Sequence, residues 1–300
     1  LSDLAEPVSF DGFFLNLVTD RTSDSKPMFV ANQIAWHPTI DSKLPGLNPG
    51  KIFLASGGVD IGLFDRISKR FALPFNHEDS YCLYQIIHAI DRLHDELIDK
   101  ADHGELDIVK LFDRKRKLNG NTYEIIGNIQ RVTRIEVERD DSSAKHELDH
   151  YYQIDLFIDI DYESLRLSDK DGEALVFDTQ FPLTIVTGEL PAWLPTGSQQ
   201  NIRVAVDAFF MRIWSYQSAY ARRISEGRRQ QSPLMVAYRF ERIDSTSGGF
   251  SRVLTIGIFL FVGVVGVLVF GFWWSDKKGG PKRSKTAATL PDTIEIPNVD

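Results

Sequence analysis

The sequence predicts an α+β chain: a five-stranded β-barrel domain, a small helical domain and one C-terminal transmembrane helix. Three observations carry this. Strand signals are dense over residues 119–244, helical spacing dominates residues 58–104, and residues 253–274 form an uncharged apolar run. Taken in order, the elements follow from local pattern.

Residues 7–38 read as two strands, PVSFDGFFLNLVTD and PMFVANQIAW, joined by a short connection. Val8, Phe10 and Phe14 share one face, whereas Phe13, Leu15 and Leu17 take the other. The parity changes around Gly12, as it does at a bulge. The pattern returns later. Val204, Val206, Asp207, Ala208, Phe209, Phe210, Met211 and Ile213 match Val8 to Leu17 at an offset of 196. Pro233 to Ala237 match Pro27 to Ala31 at an offset of 206, so the second connection is ten residues longer. Two ordered matches constitute an internal repeat. Residues 1–40 are therefore expected to be a β-hairpin that ends a truncated first repeat, with the natural chain extending upstream of Leu1.

Residues 39–56 read as a Pro/Gly-punctuated connection, and Val59, Leu63 and Ile67 begin the helical spacing. A longer helix is expected from Asn76, an N-cap with Asp79 three residues on, to near Gly104. Its apolar stripe is Leu83, Ile86, Ile87, Ile90, Leu93 and Leu97, within about 120° of arc. Residues 41–118 make the helical domain, and the charged DRKRK stretch marks its boundary.

Beyond it, residues 123–138 form one long strand with Gly127 inside. Tyr152 to Ile160 alternate cleanly with polar neighbours, and shorter runs follow at 174–177 and 183–187. The Pro-rich corner ELPAWLPTG leads to the repeated pair, 202–216 and 233–243. Three strands, a connection and two more, with glycine in a coiled first strand, resemble an OB-like five-stranded barrel over 119–244. The FFMRIWSYQS…SPLMVAY and YYQIDLF…GELP stretches resemble uncharacterised single-span envelope proteins of planctomycete-type bacteria. That resemblance implies a location and no activity.

The apolar run at 253–274 would span about 33 Å as a helix, enough for a bilayer core. Trp273 and Trp274 stand where an aromatic belt belongs, and Lys277, Lys278, Lys282, Arg283 and Lys285 follow. These basic residues place the 275–300 tail, which has a disordered composition, in the cytoplasm and residues 1–252 outside. Residues 245–252 are the linker.

Charge and cysteine usage narrow the function. Residues 1–252 carry 29 Lys and Arg against 38 Asp and Glu, a net −9, which argues against a nucleic-acid partner. A single cysteine, Cys82, excludes an internal disulfide framework. No cofactor motif is present. Asp155, Asp159 and Asp161 line one strand face, near His146, Glu147, Asp149 and His150, and are the candidate metal ligands. His88, Asp91, His94 and Asp95 share a helix but face different ways, so a core histidine and a solvated acidic face account for them. Arg222, Arg223, Arg228 and Arg229 crowd the loop between the last two strands, a candidate contact for an anionic polymer or protein partner. The expected function is a membrane-anchored scaffold or binding protein of the cell envelope, with the bilayer as a partner. The alternative is a membrane-tethered metal-dependent enzyme or hydrolase using the Asp155/Asp159/Asp161 region.

Overall fold

A computed structural model describes residues 6–19, 25–31, 33–39, 46–93, 103–138, 148–168, 174–224, 226 and 228–243. Residues 1–244 form one compact unit, and residues 245–300 lie outside the described residues.

Five strands close into a barrel: β5 (Thr122–Glu136), β6 (His150–Asp159), β9 (Gln180–Thr187), β10 (Gly197–Tyr216) and β11 (Gln230–Arg242). Round the ring the order is β5-β6-β9-β11-β10. Only β9 and β11 run parallel; the other four pairings are antiparallel. Gly127 permits the coil of β5, because a Cβ there would stand 2.7 Å from the Phe157 carbonyl oxygen on β6. Ile125, Ile129, Ile154, Leu156, Ile185, Val204, Val206 and Met235 fill the interior. The small ribbon β7 (Leu165–Ser168) with β8 (Ala174–Phe177) adds Leu175 and Phe177 to that core.

The helices are α1 (Pro49–Ser56), α2 (Gly62–Ser68), α3 (His77–Arg92), α4 (Ile108–Phe112) and α5 (Ala219–Ile224). α3 starts where its sequence says. Asn76 accepts from the Asp79 backbone N–H at 3.2 Å while Asp79 accepts from the Asn76 N–H at 2.9 Å, a reciprocal capping box. It ends at Arg92, well short of Gly104; Leu97 lies outside the described residues. α1 occupies what reads as a connection. Asn48 caps it and Pro49 opens it, where a missing N–H costs nothing.

These helices close no core of their own. Leu54, Ile67, Leu83, Ile86 and Ile87 pack on Phe209, Met211, Leu234 and Val236, the outward face of β10–β11. The physical reason is the near-continuous apolar character of AFFM and PLMVA, which must be covered on both sides.

The expected fold class, an α+β chain with an OB-like barrel, a separate small helical domain and a transmembrane helix, is therefore corrected to a mostly β unit with helices laid on its barrel. Among the described residues no helix is long and apolar enough to cross a membrane. The run at 253–274 lies outside them, as do Trp273, Trp274, Lys277 and Lys278.

Away from the barrel stands a hairpin, β2 (Gly12–Thr19) with β3 (Ser25–Ala31), continued at its base by β1 (Val8–Ser9) with β4 (Ala35–Trp36).

Candidate docking surface

The base of the hairpin is tied down by one buried carboxylate. Asp60, 2% exposed, accepts from the Trp36 and Gly62 backbone N–H groups, both at 3.0 Å, and from Gln33 Nε2 at 3.3 Å. Arg66 pairs with it at 3.4 Å, and the Asp60 N–H donates to Gln85 Oε1 of α3 at 2.9 Å. The His37 imidazole bridges Ser9 Oγ at 2.8 Å and the Val59 carbonyl at 3.1 Å. The Ile61 N–H donates to the Trp36 carbonyl at 3.0 Å. The hairpin thus leaves the helical layer from a fixed foot.

Beyond that foot its side chains meet solvent on both faces. Phe13 is 81% exposed, and Phe14, Leu15, Leu17, Phe29 and Val30 are all exposed. Phe10, Phe14 and Phe29 gather edge-to-face on one side, with centroids 5.2 and 5.7 Å apart. On the other side, Phe13 and Val30 look across a cleft of about 820 Å³ toward Leu63, Arg66 and Tyr81 of α2 and α3.

The same foot-and-layer arrangement is held at the barrel by Arg212, 1% exposed. Its Nη2 donates to Asp79 Oδ2 at 2.8 Å, and its two terminal nitrogens donate to the carbonyls of Arg70, Leu73 and Pro74. A further contact, Nε to Oδ1 at 2.7 Å, is an ion pair whose N–H direction misses the oxygen. Burial lowers the guanidinium's proton affinity while Asp79 and its hydrogen bond oppose that shift.

The residues singled out in the sequence fall elsewhere. Asp155 receives Arg131 Nε at 2.8 Å, and Asp159 receives Gln180 at 3.1 Å with Arg203 at 3.7 Å. These are cross-strand ion pairs on a wet barrel face. Asp161 is exposed beyond the end of β6. Among the described residues no three His, Cys, Asp or Glu side chains converge as metal ligands. His146, Glu147, His94 and Asp95 lie outside those residues. Burial, then the nearby Glu189, raises the Asp91 carboxyl, with His88 opposing. Cys82 is fully buried and burial pushes its thiol up. Arg222 and Arg223 are exposed on α5, Arg228 is half-buried and Arg229 exposed; residues 225 and 227 between them lie outside the described residues.

Asp60 and Arg212 escaped the sequence reading, because the contacts that give them their roles, Asp60 with Gln33, Trp36 and Gln85 and Arg212 with Asp79, span 24 to 133 positions. Arg212 does interrupt an apolar strand, a signal that a buried charge needs a fixed partner.

No family model matches the chain, and no curated protein matches it. Among solved structures it is similar to a mitochondrial single-stranded DNA-binding protein of S. cerevisiae, at 12% identity and a TM-score of 0.19. That match covers 41% of this chain and 94% of the other. At that score the likeness carries no argument about what this chain binds. The expected exclusion of nucleic acid is withdrawn on other grounds: a charge summed over residues 1–252 does not say where the cations sit, and it is their distribution that phosphates meet. The bilayer as a partner rests on the run at 253–274, which lies outside the described residues. The anionic-partner reading of Arg222, Arg223, Arg228 and Arg229 stands as an expectation.

Proposed function

We propose that this protein is a binding and scaffolding module that docks β-structured protein on its β2–β3 hairpin. One observation carries the reading: the hairpin is apolar and exposed on both faces, while its repeat in β10–β11 is buried on both. Contiguous exposed apolar surface on this scale marks interaction sites. The anchored foot at Asp60 supports the reading further, because a pre-positioned strand pair loses less conformational freedom on binding. Two-stranded ribbons are marginal in water, and added strands stabilise them by completing the ladder and covering a face.

The test is a photo-cross-linking side chain at position 13, and separately at 30, in cells that make the protein natively. Discrete adducts, between chains or within one, are expected from both positions and not from 163 on the exposed barrel surface. A diffuse product, or the same adducts from 163, would contradict the reading.

A further inference from the structure

The reading of β2–β3 as a docking surface can be taken one step further, to the identity of what docks. We propose that β2–β3 is the closing strand pair of a second barrel, and that its occupant is a three-stranded antiparallel sheet built like β5–β6–β9, carried on the same polypeptide ahead of the hairpin. The proposal rests on the docking reading and deepens it.

The first support is register. Val8↔Trp36 and Ser9↔Ala35 reproduce Val204↔Arg242 and Ala205↔Glu241 at the sequence offsets of 196 and 206. Gly12↔Ala31, Phe13↔Val30 and Phe14↔Phe29 reproduce Ala208↔Ala237, Phe209↔Val236 and Phe210↔Met235. The ladder then slips by one residue at Leu15 in the hairpin and at Met211 in the barrel, and every later pair continues to correspond, out to Thr19↔Ser25 and Ser215↔Gln231. A bulge conserved in position between the two copies fixes which side chain points to which face, because the side-chain period of a strand is two.

The second support is what those faces need. Phe14 and Phe29 stand where Phe210 and Met235 point into the barrel interior; Phe13 and Val30 stand where Phe209 and Val236 meet the helices. The barrel pair reaches that burial through its two outer edges. β10 bonds antiparallel to β5, and β11 bonds parallel to β9. The hairpin's matching edges, along Val8–Phe13 and Met28–Val30, therefore call for an antiparallel strand on one side and a parallel strand on the other. Three strands in the order of β5, β6 and β9 are the arrangement the barrel uses to meet both demands.

A second copy of this chain is a poor source. Its β5 and β9 edges are already bonded to its own β10 and β11, so it could offer them only by opening a closed core. A repeat keeps its internal order, and in the barrel the three strands precede the pair. That order puts the occupant ahead of the hairpin.

The test uses thiol labelling. Cys82, the one cysteine of residues 1–300, is fully buried, and any cysteine in the added sequence is changed to serine, so a new thiol reports cleanly. Phe14→Cys and Phe29→Cys on the inner face, Leu17→Cys as a second choice should either fail to fold (the bulge at Leu15 returns Leu17 to the face of Phe14, opposite to the expected alternation), and Val109→Cys as an exposed control are each made twice. One version holds residues 1–300 and the other adds the coding sequence that precedes them. In the 300-residue chain all should react with a maleimide at similar rates. In the longer chain the inner-face thiols should react at least roughly 100-fold more slowly while position 109 is unchanged. Equal rates in both chains would overturn the proposal, and so would a gene with no coding sequence ahead of the hairpin. Equal rates alongside discrete cross-links from position 13 remove this occupant and leave the docking reading standing; loss of both removes both.

Discussion

Phe209 and Phe13 are the same side chain in the two copies of one motif, and truncating each separates burial from pattern. Phe209 is 1% exposed, lies 6.0 Å from the Phe53 ring and 5.1 Å from the Tyr238 ring, and sits between β10 and the helices. Phe209→Ala removes a fully buried aromatic from a site whose walls belong to a barrel and to anchored helices, so collapse around the cavity is limited. The cost should be about 3–5 kcal/mol. Phe13→Ala removes a ring that already faces water and should shift stability by no more than about 0.5 kcal/mol. Urea unfolding of the 300-residue chain, followed by tryptophan fluorescence and far-UV circular dichroism, reads both. A cost above about 1 kcal/mol at Phe13, or below that at Phe209, would refute the claim that the copies differ only in their cover.

Other substitutions test the fixed parts of the fold. Arg212→Ala leaves the buried Asp79 with the Asn76 N–H at 2.9 Å and Arg70 at 3.5 Å, and removes the Arg212 donor from each of the Arg70, Leu73, Pro74 and Ile213 carbonyls. A loss of about 3–5 kcal/mol is expected in the same unfolding assay, with Arg212→Lys recovering only part. Gly127→Ala drives a Cβ to 2.7 Å from the Phe157 carbonyl and should cost about 1–3 kcal/mol, read as a lower melting temperature. Burial raises the Asp207 carboxyl, with His103 and then Arg239 opposing. The folded state therefore holds that proton more tightly than the unfolded one. Stability from this group is present below its ordinary value of 3.8 and falls as pH climbs from there through the raised value. Asp207→Asn should flatten that part of the stability-versus-pH curve, and an unchanged slope would count against the assignment.

What the sequence made legible was local. Asn76 and Asp79 announced the start of α3, because a capping box is closed within four residues. Alternation and the parity change at Gly12 located the repeat, because a bulge rewrites the face pattern of its own strand. Asn48-Pro49 carried an equally local start for α1, hidden by the glycines and prolines around it. The separation of helices from barrel was misjudged for a different reason. β10 is apolar on both faces, and only the fold says that helices and not lipid or another sheet cover the second one. Arg212 and Asp79 meet across 133 positions, and no window of sequence contains that contact. The candidate site suffers the same limit. Pattern identified Phe13, Phe14 and Phe29 as strand residues, but whether anything lies over them depends on strands far along the chain or beyond it.

Amide hydrogen exchange at equivalent positions in a single sample bears on this most directly. In the 300-residue chain, Phe29 and Val30 should exchange at least roughly a thousandfold faster than Met235 and Val236, because the same ladder lacks its flanking strands and its cover. Comparable protection at the two pairs would mean that the hairpin is complete as it stands, and the account of it as a docking surface would fail.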